Sequence, residues 1–352
     1  MKLNPKLVNI IKSNIGIFLF ITLFIILYRD FLYTYKIQLE QSIPYYLYQN
    51  HIEYYLTGDK QYDVEAPANL RFLGLWLQFA IYKIFPCIEL SREINFPVPY
   101  DNYICTTFSS ALMNYFCLCS FLSLSFLYSY KKLRLDLPTS ILTSMLSYIF
   151  ISYVEAFTLD RLAVLYFLIV LYFLDNFKLG LILIVLAAFV NEKVVYMLSV
   201  LFFIRLFLNK KKEYLPFFIS SVVSSVLVIM TFVFYAFVLN HGYHESDLGS
   251  EGIYNKFFTH GFARIYSMFM FRQGYSNSVI PLAFTLLPYL LSFFIKLKKS
   301  KYFFSKLDIL IPISLLLFTA GASMEQTGRY VMLSMPLWLP ILSQQVIFFL
   351  RR

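Results

Sequence analysis

Several ionisable residues stand at the edges of otherwise oily segments. Arg29 and Asp30 follow the apolar run 15–28. Arg71 lies at the start of LRFLGLWLQFAIYKIF (70–85), and Glu155, Asp160 and Arg161 flank the turn between two apolar runs. Asn191, Glu192 and Lys193 interrupt another run, and Glu325 and Arg329 precede the last one. A positioned carboxylate can take a proton from a hydroxyl. Arginine and lysine can hold an oxyanion, arginine bidentately. Charges at membrane depth characteristically face a cavity or a partner, so a set converging from five places suggests one site. Other chemistries lack their signatures: there is no Walker loop and no dinucleotide fingerprint. His241 and His244 are one helical turn apart, but Gly242 and a loop setting speak against a metal site. Cys87, Cys105, Cys117 and Cys119 show neither metal spacing nor a disulfide framework. No cofactor is indicated and no metal ligand is assigned.

The elements that must position these residues are membrane helices. The chain is 59% hydrophobic and only 14% charged, where a soluble domain averages about a quarter charged residues. Nearly uncharged runs recur from end to end, and a run of roughly 18 or more predicts a helix that crosses the bilayer. The pattern predicts an all-α polytopic integral membrane protein, 1–352 forming a single transmembrane domain of about ten helices. Their expected ranges are 14–28, 104–130, 138–155, 160–175, 179–191, 194–209, 214–240, 279–296, 307–321 and 330–350. The first run lacks a small-residue cleavage site and is read as a retained helix. The 29 tyrosines and 39 phenylalanines fit lipid-facing rings and interfacial belts.

Charge sets the orientation. Basic residues recur between spans, at 2–12, 131–134, 178, 205–212, 296–306 and 351–352. Placing them all in the cytoplasm puts 18 of the 30 basic residues there with only four acids, Asp136, Asp175, Glu213 and Asp308. The positive-inside rule then places both termini inside. The net charge of +10 thereby reads as topology rather than nucleic-acid binding. Lys178 and Lys210 must lie on the same side, yet 178–209 is too short for two full spans. Two short helices broken at Asn191–Lys193 near the outer side solve this; such breaks survive at membrane depth only against protein or a water-filled cavity. Two long external loops follow, 29–103 and 241–278. Segment 70–85 in the first reads as an amphipathic helix on the outer surface.

Four stretches together resemble bacterial GT-C-type integral membrane glycosyltransferases: 67–77 (PANLRFLGLWL), 159–166 (LDRLAVLY), 188–196 (AFVNEKVVY) and 325–336 (EQTGRYVMLSMP). Each is short and degenerate. The resemblance implies a polyprenyl-phosphate-sugar donor, a glycan or lipid acceptor in the cell envelope, and chemistry on the non-cytoplasmic face of the bacterial inner membrane. It also implies a large first external loop with surface helices and an early acid acting as base. Asp30 takes that role, with Asp63 and Glu65 as rivals, because the chain has Arg-Asp where the family often has paired acids. Arg71, Lys193 and Arg329 then hold the phosphate, while Asp160, Glu192 and Glu325, together with Arg161, orient those cations or bind sugar. Two rival functions share much of this pattern: a polymerase acting on lipid-linked repeat units, and a transporter, whose ionisable or broken helices lie near the midplane.

Overall fold

The computed structural model describes residues 14–29, 31–32, 72–84, 101–151, 160–233, 276–292, 306–321 and 331–351. Those residues are all-helical, with no strand among them. The helices are α1 (Ile15–Ile26), α2 (Phe72–Ile84), α3 (Asp101–Leu127), α4 (Leu137–Ile151), α5 (Asp160–Phe173), α6 (Phe177–Leu186), α7 (Glu192–Phe203), α8 (Leu215–Val233), α9 (Ser276–Leu291), α10 (Leu310–Gly321) and α11 (Met335–Leu350). Among the described residues, three stretches are long and apolar enough to cross a membrane: Phe108–Lys132, Lys212–Thr231 and Met332–Leu350. The remaining described helices that fall within expected spans are shorter.

The packing partners give each helix a direction. Gly16 in α1 lies against Leu127 at the end of α3, while Phe31 meets Phe108 near its start. These two helices therefore run antiparallel. Tyr166 in α5 donates to the Leu183 carbonyl of α6 at 2.7 Å. Phe177 at the start of α6 and Phe202 near the end of α7 both pack on Phe217 at the start of α8. Thus α6 and α7 run in opposite directions, as the sequence requires for Lys178 and Lys210 to share a side. Tyr196 of α7 bonds to Ser314 of α10, and Arg351 after α11 pairs with Asp136 before α4. The described basic residues of the inter-helix segments accordingly gather at one end of the bundle.

The core lies around α5, in which every residue from Leu162 to Leu168 is buried. Phe121, Phe167, Met197, Phe202 and Trp338 fill the space between α3, α5, α7 and α11. A helix buried on every side must be apolar on every side, which is why α5 carries no polar stripe. Helix α8 is the opposite case. Its Leu215, Ile219, Val222, Val226, Ile229 and Met230 are exposed at helical spacing. A contiguous apolar stripe of this kind marks a surface that belongs against lipid or protein. The α7–α8 contact uses small hydroxyls instead: Ser199 lies 3.1 Å from Ser225 and 3.4 Å from the Ser221 carbonyl. Small polar residues let membrane helices approach closely.

Segment 70–85 does contain a helix, α2, packed against α3. Leu75 and Gln78 face inward, but the outward face carries Trp76, Leu77 and Ile84. Apolar residues occupy both its inward and its outward face, and its one charged residue, Lys83, lies in the last turn.

Helices α3 and α7 end alike. Each closes in one π turn, Tyr128–Lys132 and Ile204–Leu208. The Leu135 amide reaches back to Ser129 and the Lys211 amide to Arg205, both at 3.0 Å. The residue that turns the chain is left-handed in both, Arg134 at φ 55° and Lys210 at φ 53°. Glycine suits this conformation best; the chain uses a basic residue twice.

Candidate functional site

At the end of the bundle opposite the basic residues, two of the sequence-marked stretches meet. Asp160 is the first residue of α5, where a carboxylate is favoured by the helix N-terminus. The second stretch is the break. Helix α6 tightens into a single 3₁₀ turn, Ala187–Phe189, and the chain then extends at Asn191, φ −170° and ψ 132°. Asn191 caps α7: its side-chain oxygen accepts from the Lys193 amide at 2.9 Å. Asparagine is among the best residues for this position, so the polar interruption is also a helix start.

The side chains then converge. Lys193 Nζ lies 3.2 Å from Asp160 Oδ1, and Asn191 Nδ2 approaches the same oxygen at 3.5 Å. Glu192 Oε1 is 4.0 Å from Lys193 Nζ. Asp160 and Lys193 are both about 2% exposed at their side chains, while Glu192 is 17% exposed. Burying a charge is costly unless it is paired and hydrogen-bonded. Here Asp160 meets that requirement by accepting from both an ammonium and an amide. The neighbours Leu162, Ala163, Val190 and Val194 are buried hydrocarbon, which leaves the ammonium and carboxylate little competition from water.

The structure thus brings together Asp160, Glu192 and Lys193 of the expected site, and adds Asn191 as cap and donor. Arg161, the next residue of α5, is half-buried. Asp30, Asp63, Glu65, Arg71, Glu325 and Arg329 lie outside the described residues, as do the four histidines. Among the described residues, no three His, Cys, Asp or Glu side chains come together as metal ligands would.

The basic end holds pairs that the sequence does not announce. Arg205 Nη2 lies 2.7 Å from Asp308 Oδ2, with Asp308 fully buried, and Lys132 Nζ lies 2.7 Å from Asp175 Oδ2. Three of the four acids at this end therefore clamp a basic residue from another segment: Asp136, Asp175 and Asp308. The available signal was that a carboxylate in a strongly positive environment needs a partner, but nothing in the sequence says which one.

No family model, curated protein or solved structure matches this chain.

Proposed function

We propose that the chain is a GT-C-type membrane glycosyltransferase with about ten spans and its basic end in the cytoplasm. It would move a sugar from a polyprenyl-phosphate donor to a glycan or lipid acceptor on the opposite face. One observation carries this reading. Two of the four stretches behind the resemblance, 159–166 and 188–196, join through a buried Asp160–Lys193 pair at the end away from the basic residues.

In this mechanism a carboxylate, Asp30 or its rivals Asp63 and Glu65, takes the proton of the acceptor hydroxyl. The acceptor oxygen bonds the anomeric carbon as the bond from that carbon to the phosphate oxygen breaks. The polyprenyl phosphate leaves with the bonding electrons, and cations stabilise the charge that develops on it. Arg71, Arg329 and Lys193 supply those cations. Asp160 acts as a positioning residue for Lys193, and the partly exposed Glu192 faces the sugar hydroxyls. The donor carries its own leaving group, so no nucleotide fold is needed.

The test is transfer of labelled sugar from polyprenyl-phosphate-hexoses by the purified protein in lipid nanodiscs. Lys193→Gln and Arg329→Ala should each lower turnover at least about tenfold, since a transition-state donor contributes on the order of 2.7–4 kcal/mol. Lys193→Arg should restore part of it. Folded protein that turns over no donor of this class sinks the proposal. Consumption of a diphosphate-linked oligosaccharide instead identifies the polymerase, and access to a cysteine at position 192 from both sides identifies a transporter.

A further inference from the structure

Helix α11 carries a proline in its interior, Pro340, one turn after Pro336. Proline has no N–H, and its ring crowds the carbonyl four residues back. The Pro336 carbonyl therefore lacks its donor within the helix. Both prolines line a buried cavity of about 10 Å³, about the smallest space that holds one water molecule. Thr143 and Ser147 of α4 line it as well, as does Ser129 in the π turn that closes α3. Ser129 is fully buried, and its Oγ has no partner among the described residues. Its backbone is already committed, since its carbonyl accepts from the Leu135 amide.

The cavity thus gathers an orphaned donor and a carbonyl that proline has freed. Leaving such groups buried and unmet is unfavourable. In membrane helices a carbonyl freed by proline is met by a Ser or Thr side chain or by an ordered water. Thr143 and Ser147 do not donate to it: their hydroxyls donate to the Thr139 and Thr143 carbonyls, at 2.9 and 2.8 Å. Their oxygens can still accept, because a hydroxyl has two lone pairs. Among the described residues no charged side chain lines the cavity, as a cation at this depth would require. A neutral molecule that both donates and accepts fits instead. Tyr128 lines this cavity and also a larger one of about 350 Å³ at the basic end, whose wall includes the exposed Lys211 and Glu213. The route to bulk water passes this ring.

We propose that this cavity is a binding site for one water molecule, which accepts from the Ser129 hydroxyl and donates to the Pro336 carbonyl. Its second proton goes to Thr143 or Ser147. That makes three hydrogen bonds, the usual number for a buried water. The water joins the proline turn of α11 to the end of α3 and replaces the bond that Pro340 removes. The π turn gains a purpose in this arrangement, since it presents Ser129; such turns are frequent at functional sites. The inference concerns the packing of α11 and does not depend on sugar transfer.

The experiment is synchrotron radiolysis of the full-length protein in lipid nanodiscs, read by mass spectrometry. Radicals made from a bound water mark the side chains beside it. Leu339 and Leu337 sit on the same helix and are equally buried, at 1% and 0% exposed, but of the two only Leu339 lines this cavity. Leu339 should be oxidised several-fold faster than Leu337. Ser129→Ala removes the donor, and Pro340→Ala returns an N–H to the Pro336 carbonyl. Each should bring Leu339 down towards the rate of Leu337. Ser224→Ala deletes a buried hydroxyl of α8 that bonds the Val185 carbonyl and should leave the ratio unchanged. Equal rates at Leu339 and Leu337 in the wild type mean a dry cavity and overturn the proposal. So does an elevated Leu339 rate that neither Ser129→Ala nor Pro340→Ala lowers, because the water is then held by other groups. A variant in which Leu337 also becomes reactive has lost its packing, and the wild-type ratio then decides alone.

Discussion

Asp160 and Lys193, 33 residues apart, form a 3.2 Å ion pair that is almost wholly shielded from solvent. The pair joins the start of α5 to the start of α7 and so fixes where the chain re-enters the bundle after its break. Removing one partner of a buried pair typically costs about 3–5 kcal/mol, while replacing both by hydrocarbon is often neutral. Asp160→Leu and Lys193→Met should therefore each lower the melting temperature sharply, and the double variant should recover most of the loss. Thermal unfolding in detergent measures this. The double variant also separates stability from function: it should stay folded yet transfer no sugar.

The opposite directions of α6 and α7 make a topological prediction. Lys178 and Lys210 are exposed and lie at the same end of the bundle. Cysteines placed at these positions, one at a time, should react with a membrane-impermeant maleimide from the same side only. The buried Cys117 and Cys119 should stay silent. Labelling from opposite sides rules out the short-helix hairpin.

Lys210 bears left-handed backbone at φ 53°, a conformation that crowds any Cβ. Lys210→Gly should stabilise the fold by up to about 1 kcal/mol, the relief exceeding the added flexibility of the unfolded chain. Lys210→Val should do the reverse, because a β-branched residue fits this region worst. A melting comparison of the three proteins decides it.

Asp136 provides a pH-dependent effect. The Thr139 hydroxyl, and then the Arg351 guanidinium, hold its carboxyl below its ordinary value. The folded carboxyl thus ionises more readily than the unfolded one, whose value is about 3.9. Its contribution is present above about pH 4 and is lost as pH falls through the lowered folded value. The side chains of Asp136 and Arg351 are well exposed, so the effect should stay under about 1 kcal/mol. The stability gap between the wild type and Asp136→Asn should shrink in acid; a gap independent of pH contradicts this assignment.

Hydrophobic run length and charge asymmetry were enough to read helices throughout the described residues, most of them within or close to an expected apolar run, and the need for a break at Asn191. These properties are local: a helix must bury or face oil along its whole length, and an N-cap is chosen within a few residues of the helix that it starts. The sequence also marked Asp160, Glu192 and Lys193 as residues in costly positions. It could not say that Asp160 and Lys193 share one oxygen–nitrogen contact. Successive residues on a helix point about 100° apart, so the direction of each charge depends on how α5 rotates against α3 and α7. The Arg205–Asp308 pair spans 103 residues and joins two segments that are distant in the chain. No local pattern encodes such a meeting. It exists only once the packed core has set the separation and rotation of those segments.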